Sequence, residues 1–148
     1  MLERLVYVST AASRQDLTKQ AARIDDEAES WNAEHGVGGV LAAHDGHFVQ
    51  ALEGERPMLD RLLKRLEDDP RHYDLVLIDR WRVDERLFAG WAMAGVAMDS
   101  AIRTGLDALI ADPTANPRTL VETMRGRAVP LAGSGAGAAE PASRSAAE

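Results

Sequence analysis

The 148-residue chain contains no cysteine, which excludes a disulfide framework and thiol catalysis and fits a reducing cytoplasm. No apolar run approaches the roughly 20 residues of a membrane-spanning helix, and no charged region precedes an apolar one at the N-terminus. We therefore expect neither a membrane span nor a signal peptide. The net charge of −7 opposes attraction to a phosphate backbone, so we expect no nucleic-acid partner.

The first half of the chain contains alternating strand and helix patterns. Residues 2–9 alternate as a strand, and residues 37–43 and 47–52 read as two more. Asp45-Gly46 predicts a type I′ hairpin between the last two, because both central residues of that turn need positive φ. Between the first two strands, apolar residues at four-three-four-three spacing predict a helix that ends at Gly36; they are Leu17, Ala21, Ile24, Ala28 and Trp31.

The pattern then repeats once. Four leucines between positions 59 and 66 predict a second helix, which Asp68-Asp69-Pro70 would end. Residues 73–78 predict a fourth strand, and residues 88–98 a fifth. The order β-α-β-β-α-β predicts an α+β fold with a ferredoxin-like sheet, an extra fifth strand and both helices on one face. Two further helices, at 101–111 and from Asn116-Pro117 to about Arg125, would cover the other face.

Three polar residues interrupt this apolar framework. Tyr7 and Gln50 lie on predicted strands, and Asn32 lies near the end of the first helix. A buried phenol or amide is costly unless its hydrogen bonds are met. Small residues at 21 and 28 would leave room for a planar heterocycle such as a flavin between the helices. The alternative, that the polar groups satisfy one another as core and cap residues, stays open at this point.

The sequence also resembles a BLUF domain, a blue-light sensor that uses FAD, from about Leu2 to Met98. The resemblance rests on five motifs in order: LVYVS, the WN…GVGGVL stretch, FVQALEG, Asp69-Pro70-Arg71-His72 and RLFAGWAM. It implies a flavin-binding domain at 1–98. The helix patterns beyond it predict a C-terminal helical extension at 99–128, and the Gly/Ala/Ser/Pro-rich composition after that predicts a disordered tail at 129–148. FAD is the implied cofactor, with FMN or riboflavin as alternatives.

The resemblance also implies residue roles. Tyr7 would give an electron and a proton to the excited flavin through Gln50, whose amide would then be rotated or tautomerised. Flavin-binding positions would be Ile24, Asn32, Gln50, Arg65, Asp69, Arg71 and His72. Signal relay would fall to Ser9, Trp91 and Met93. Two positions depart from the family pattern: Trp31 precedes the asparagine, and Gly38 stands where a threonine is common.

The predicted function is that of a short stand-alone photoreceptor, not an enzyme. It would signal to an unidentified downstream protein or through a light-altered homo-oligomer. The four histidines have no recognised ligand spacing, so we expect no metal site. A flavin-free binding or oligomerisation module of ferredoxin-like fold is the first alternative, and a small flavin enzyme is the second.

Overall fold

The computed structural model describes residues 1–13 and 17–129. The strands are β1 (Leu2–Ala11), β2 (Gly38–His44), β3 (His47–Glu55), β4 (His72–Arg82), β5 (Gly95–Val96) and β6 (Ala128–Val129). The helices are α1 (Leu17–Glu34), α2 (Arg56–Glu67), α3 (Ser100–Ala111) and α4 (Arg118–Gly126). The predicted tail lies outside the described residues from position 130 onward, as do the side chains of Leu17 and Ala21.

The main sheet has four antiparallel strands in the order β2-β3-β1-β4. β1 and β2 are joined through α1 and enclose β3, while β3 and β4 are joined through α2 and enclose β1. Two interleaved β-α-β units of this kind are the ferredoxin-like arrangement, so the predicted fold class is confirmed. The hairpin is confirmed as well, because Asp45 and Gly46 have φ of 51° and 78°.

Alternate residues of the sheet point into two separate cores. The core under α1 and α2, called here the cleft-side core, holds Leu5, Tyr7, Leu41, Phe48, Leu52, Ile24, Leu59, Leu62 and Met93. The core under α3 and α4, called here the C-terminal core, holds Val6, Val8, Val40, Val49, Phe88, Trp91, Ile102, Leu106, Leu120, Val121 and Met124. The two helix pairs therefore cover opposite faces of one sheet.

The extra strand is shorter and less regular than the sequence pattern indicated. Only Gly95–Val96 forms a regular strand, and it pairs with β6. The residues before it run beside β2, where the amide of Gly39 donates to the Trp91 carbonyl at 3.1 Å and that of Leu41 donates to the Ala94 carbonyl at 2.8 Å. Gly90 has a φ of 83°, which interrupts extended geometry at this point.

A glycine in β2 provides a test of this packing. A Cβ added at Gly39 would lie 2.2 Å from the carbonyl oxygen of Ala51 in β3. We expect Gly39→Ala to lower the unfolding free energy by about 1–3 kcal/mol, because the two strands must separate. The matched control is Gly126→Ala, where an added Cβ meets nothing within 4 Å. It should stabilise the last turn of α4 by about 0.5–1 kcal/mol. Urea unfolding measures both, and equal midpoints for the two variants would contradict the expectation.

Within residues 1–13 and 17–129, no helix combines the length and apolar character needed to span a bilayer.

Candidate functional site

Tyr7 and Gln50 form the centre of the candidate site. They are paired in register across β1 and β3, and both are 2% exposed. The Tyr7 hydroxyl donates a hydrogen bond to the Oε1 atom of Gln50. The sequence placed these side chains on strands, and the antiparallel register brings them together across 43 residues of chain.

The other end of the Gln50 amide contacts Met93. Its Nε2 atom donates to the Met93 sulfur at 3.3 Å. A thioether is only a weak acceptor, so this bond fixes the amide less firmly than a carbonyl would. The amide therefore connects the phenol on β1 with a side chain on the irregular segment beside β2.

Asn32 lies in the last turn of α1 and is fully buried. Its Nδ2 atom donates to the Ala92 carbonyl at 2.7 Å. Its Oδ1 atom is buried and has no hydrogen-bond partner among the described residues. A buried acceptor without a partner costs about 1–3 kcal/mol. A ligand that offers an N–H there, as the imide edge of a flavin does, would remove that cost.

A cleft of about 90 Å³ runs between α1 and α2 beside Asn32. Its apolar lining includes Ile24 and Leu62, and its other lining residues are Glu27, Ala28, Trp31, Arg65, Leu66, Asp69 and Arg71. A slot lined by both apolar and charged side chains suits a planar ring that carries a polar chain. Pockets for ligands of that size usually measure about 300–1,000 Å³, so a bound ring would require the two helices to move apart.

The rim carries paired charges. The Nε and Nη atoms of Arg71 contact both carboxylate oxygens of Asp69 at 2.6–3.1 Å, and Arg71 also reaches Glu27 at 3.0 Å. Hydrogen bonding from the Arg71 guanidinium holds the pKa of Asp69 below its ordinary value. Arg65 lies 5.1 Å from the centre of the Trp31 ring, and His35 stacks on that ring at 3.9 Å. Trp31 is half-buried at the cleft, so it is neither a fully buried core residue nor a fully exposed one.

His72 and Ser9 form a pair of their own. The Nδ1 atom of His72 is 2.6 Å from the Ser9 hydroxyl, and Nε2 is 2.6 Å from the Leu66 carbonyl. A carbonyl only accepts, so Nε2 carries a proton, while Nδ1 shares a hydrogen bond with the Ser9 hydroxyl. The His72 ring lies 6.2 Å from the Tyr7 ring. His72 is thus hydrogen-bonded to β1 through Ser9, close to Tyr7. Among the described residues, the hydrogen bond found for the Ser9 side chain is to His72, and not to Trp91 or Met93.

Sequence reasoning missed two contacts of the segment before β5. Glu53 is fully buried and accepts from the amides of Leu87 and Phe88. Arg125 of α4 reaches the Leu87 carbonyl and the Trp91 ring. The departure at Gly38 has a physical reason here, because a Cβ at that position would lie 2.8 Å from the Phe88 carbonyl oxygen. Within the described chain, no group of acidic or histidine side chains could hold a metal ion.

Tyr7 has a pH signature that can be measured. Burial, and to a smaller degree the charge of Asp69, raises the pKa of its phenol far above the ordinary 10.0. Above about pH 10 the unfolded chain loses this proton while the folded chain keeps it. The unfolding free energy should therefore fall with rising pH, by about 1.4 kcal/mol per pH unit for this group.

Denaturant unfolding between about pH 9 and pH 12 checks this slope. Tyr7→Phe should show a shallower decline, while Tyr73→Phe, at a position 54% exposed on β4, should keep the parent slope. Identical slopes in the two variants would contradict the assignment of a buried, protonated Tyr7.

The geometry defines a class of protein: an α+β domain with a buried Tyr7–Gln50 pair and a small cleft between α1 and α2 that Asn32 lines. A family model described as sensors of blue light using FAD, named BLUF, matches residues 2–94. The match covers more than half of the chain and includes Tyr7, Asn32, Gln50 and Met93. The chain belongs to the BLUF family.

Individual relatives agree with this assignment. The chain is 31% identical over 100 residues to the photoactivated adenylate cyclase subunit beta of Euglena gracilis, a match that covers 67% of this chain and 12% of that protein. The ground-state structure of BlsA has a TM-score of 0.81 and 26% identity, covering 95% of this chain and 98% of that one. Klebsiella pneumoniae BlrP1 with FMN and cyclic diGMP has a TM-score of 0.60 and 28% identity, covering 76% and 35%.

The chain spans about an eighth of the length of that cyclase subunit. What is shared is the sensor module. The matched family is described as one of blue-light sensors that use a flavin.

Proposed function

We propose that this chain is a blue-light photoreceptor in which the Gln50 amide reports excitation of a flavin bound between α1 and α2. The observation that carries the proposal is the position of that amide, which accepts from the Tyr7 phenol at one end and donates to Met93 at the other. A side chain with both a donor and an acceptor end can exchange them, which a carboxylate or an alkyl group cannot do.

The flavin would be held by residues that line the cleft. Ile24 would pack on the ring, and Asn32 would pair its unpartnered Oδ1 atom with the imide edge. Arg65, Asp69 and Arg71 lie at the charged rim and suit a ribityl or phosphate chain. His72 would act indirectly, because Ser9 and Leu66 already occupy both of its ring nitrogens.

When bound, the flavin supplies absorption of blue light and an acceptor for one electron. Tyr7 holds its proton against Gln50 Oε1 in a site where the phenol is only 2% exposed. A phenol that has lost an electron is strongly acidic, so its proton would pass to the amide. When the electron and the proton return to Tyr7, the phenol is restored and only the Gln50 amide is left rearranged.

Rotation of the amide has a direct mechanical consequence. After a half turn, Gln50 Oε1 would face the Met93 sulfur where Nε2 now donates. Oxygen and sulfur both accept, so no hydrogen bond would hold Met93 in place. Met93 would thus sense the orientation of the amide, and the signal would enter the segment beside β2.

Several finer points belong to the same proposal. FAD is the proposed form of the flavin, although FMN and riboflavin carry the same ring; extraction and chromatography would identify it. The domain ranges 1–98, 99–128 and 129–148, a cytoplasmic location and the absence of a nucleic-acid partner are proposed as well. The lit state would act on an unidentified downstream protein or change a homo-oligomer.

The test is one absorption spectrum of the flavin-loaded chain, dark and then under blue light. We expect a yellow protein whose flavin band shifts reversibly to longer wavelength. A colourless protein that does not take up added flavin would support the flavin-free binding module, which the small cleft volume of about 90 Å³ favours. Yellow protein without a reversible shift would favour a small flavin enzyme.

A further inference from the structure

The segment of Trp91, Ala92 and Met93 is held by three different elements. Asn32 of α1 donates to the Ala92 carbonyl at 2.7 Å, and Gln50 of β3 donates to the Met93 sulfur at 3.3 Å. Arg125 of α4 places its guanidinium carbon 5.4 Å from the centre of the Trp91 ring. The proposed flavin site and the C-terminal helices therefore meet on three consecutive residues.

These three residues also cross from one core to the other. Met93 belongs to the cleft-side core with Tyr7, whereas Trp91 belongs to the C-terminal core with Leu120, Val121 and Met124 of α4. A displacement of Met93 would thus reach, along two peptide units, a ring that α4 contacts.

Arg125 makes polar contacts from α4 to the Trp91 ring and to the chain just before it. Its Nε atom donates to the Leu87 carbonyl at 3.3 Å while the guanidinium covers the Trp91 ring. Trp91 is 5% exposed, and a cation over an aromatic ring is bound more strongly when water is excluded. The Trp91 Nε1 atom has no hydrogen-bond partner among the described residues, so the ring is held by its faces and not by its N–H group.

We propose that Arg125 is a positioning residue that couples the placement of Trp91 to α4, and that light loosens this contact. The proposal rests on the proposed function, since Gln50 must first release Met93. Arg125 would then either move with the Trp91 ring or lose contact with it, and the C-terminal turn of α4 would move.

The same helix supplies a matched control. Arg118 lies at the start of α4 with its guanidinium 4.8 Å from the centre of the Trp81 ring. Trp81 is in β4, at the opposite edge of the sheet from the segment beside β2. Removing the Arg118 charge therefore deletes a similar contact from the same helix, but it leaves the path from Gln50 through Met93 to Trp91 intact.

The experiment compares Arg125→Met and Arg118→Met with the parent, all as full chains loaded with FAD. Hydrogen exchange of the α4 amides, residues 118–126, is measured in the dark and under blue light, alongside the absorption spectrum. All three proteins should show the red shift. In the parent and in Arg118→Met, light should speed exchange in α4; in Arg125→Met this change should shrink at least about fivefold.

Each other outcome has a defined meaning. A light-induced change in Arg125→Met that equals the parent's overturns the proposal, and so does a parent that shifts its spectrum without any change in α4. A parent with no red shift overturns the proposed function itself. If Arg125→Met does not fold, Arg125→Gln replaces it under the same criteria, because its amide still reaches for the Leu87 carbonyl and carries no cation. Arg125→Lys should restore the response, which loss of a purely structural contact would not predict.

Discussion

In Gln50→Leu, flavin should stay bound and blue light should no longer shift its absorption band. Leucine has neither a donor nor an acceptor, so Tyr7 loses its buried acceptor and Met93 loses its donor. The proposed ring contacts through Ile24 and Asn32 remain. We expect complete loss of the reversible red shift, measured by dark and illuminated spectra of the same sample.

The tyrosines provide the control for this result. Tyr7→Phe removes the hydroxyl that donates to Gln50 and should also abolish the shift. Tyr73→Phe removes a hydroxyl from an exposed position on β4 and should leave the shift unchanged. A Gln50→Leu protein that shifts like the parent would show that the amide is not the reporting group.

Replacement of Glu53 should have the largest effect on stability. This carboxylate is fully buried and accepts from Arg4 at 2.8 and 3.0 Å, from the Leu87 amide at 2.7 Å and from the Phe88 amide at 3.0 Å. Glu53→Leu leaves a cation and two backbone N–H groups without their acceptor. Removing one partner of a buried pair typically costs about 3–5 kcal/mol, and we expect a loss in that range.

Glu55, two residues along β3, is the matched control. It pairs with the N-terminal amine at the surface, where its side chain is 53% exposed. Exposed ion pairs contribute about 0–1 kcal/mol, so Glu55→Leu should change the unfolding free energy by no more than that. Urea unfolding measures the loss of unfolding free energy in both variants. Similar midpoints would mean that Glu53 does not anchor residues 87 and 88.

Local patterns predicted the regular part of the fold because they need no tertiary information. The Asp45-Gly46 turn, the leucine stripe of α2 and the alternation of β1 and β3 each follow from one short stretch of sequence. The segment 88–98 was predicted as one strand and is mostly irregular, since Gly90 bends it and its backbone bonds go unevenly to β2. Apolar composition alone could not separate these two states.

In the candidate site, too, some contacts could be predicted from the sequence and others could not. Tyr7 and Gln50 could be placed together because both sit at inward positions of predicted neighbouring strands. The partners of His72 and Trp91 could not be predicted, because Ser9, Leu66 and Arg125 come close to them only in the folded structure. The resemblance assigned His72 to the flavin site and Trp91 to the signal relay, but it did not indicate which protein groups they contact. Arg125 lies beyond the matched region, so no motif pointed to it.

The interleaved strand order also bears on how the protein is made. In chain order Tyr7 precedes Gln50 by 43 residues, and Asn32 precedes Ala92, whose carbonyl it binds, by 60 residues. At about 5–20 residues per second, the nascent chain spends several seconds with β1 synthesised but its partners absent. Gln50, Met93 and Asn32 are present together with their hydrogen-bond partners only once the chain from Tyr7 to Met93 has been made. The cleft itself is complete only once Arg71 has been made, so the appearance of colour would report that synthesis has passed α2.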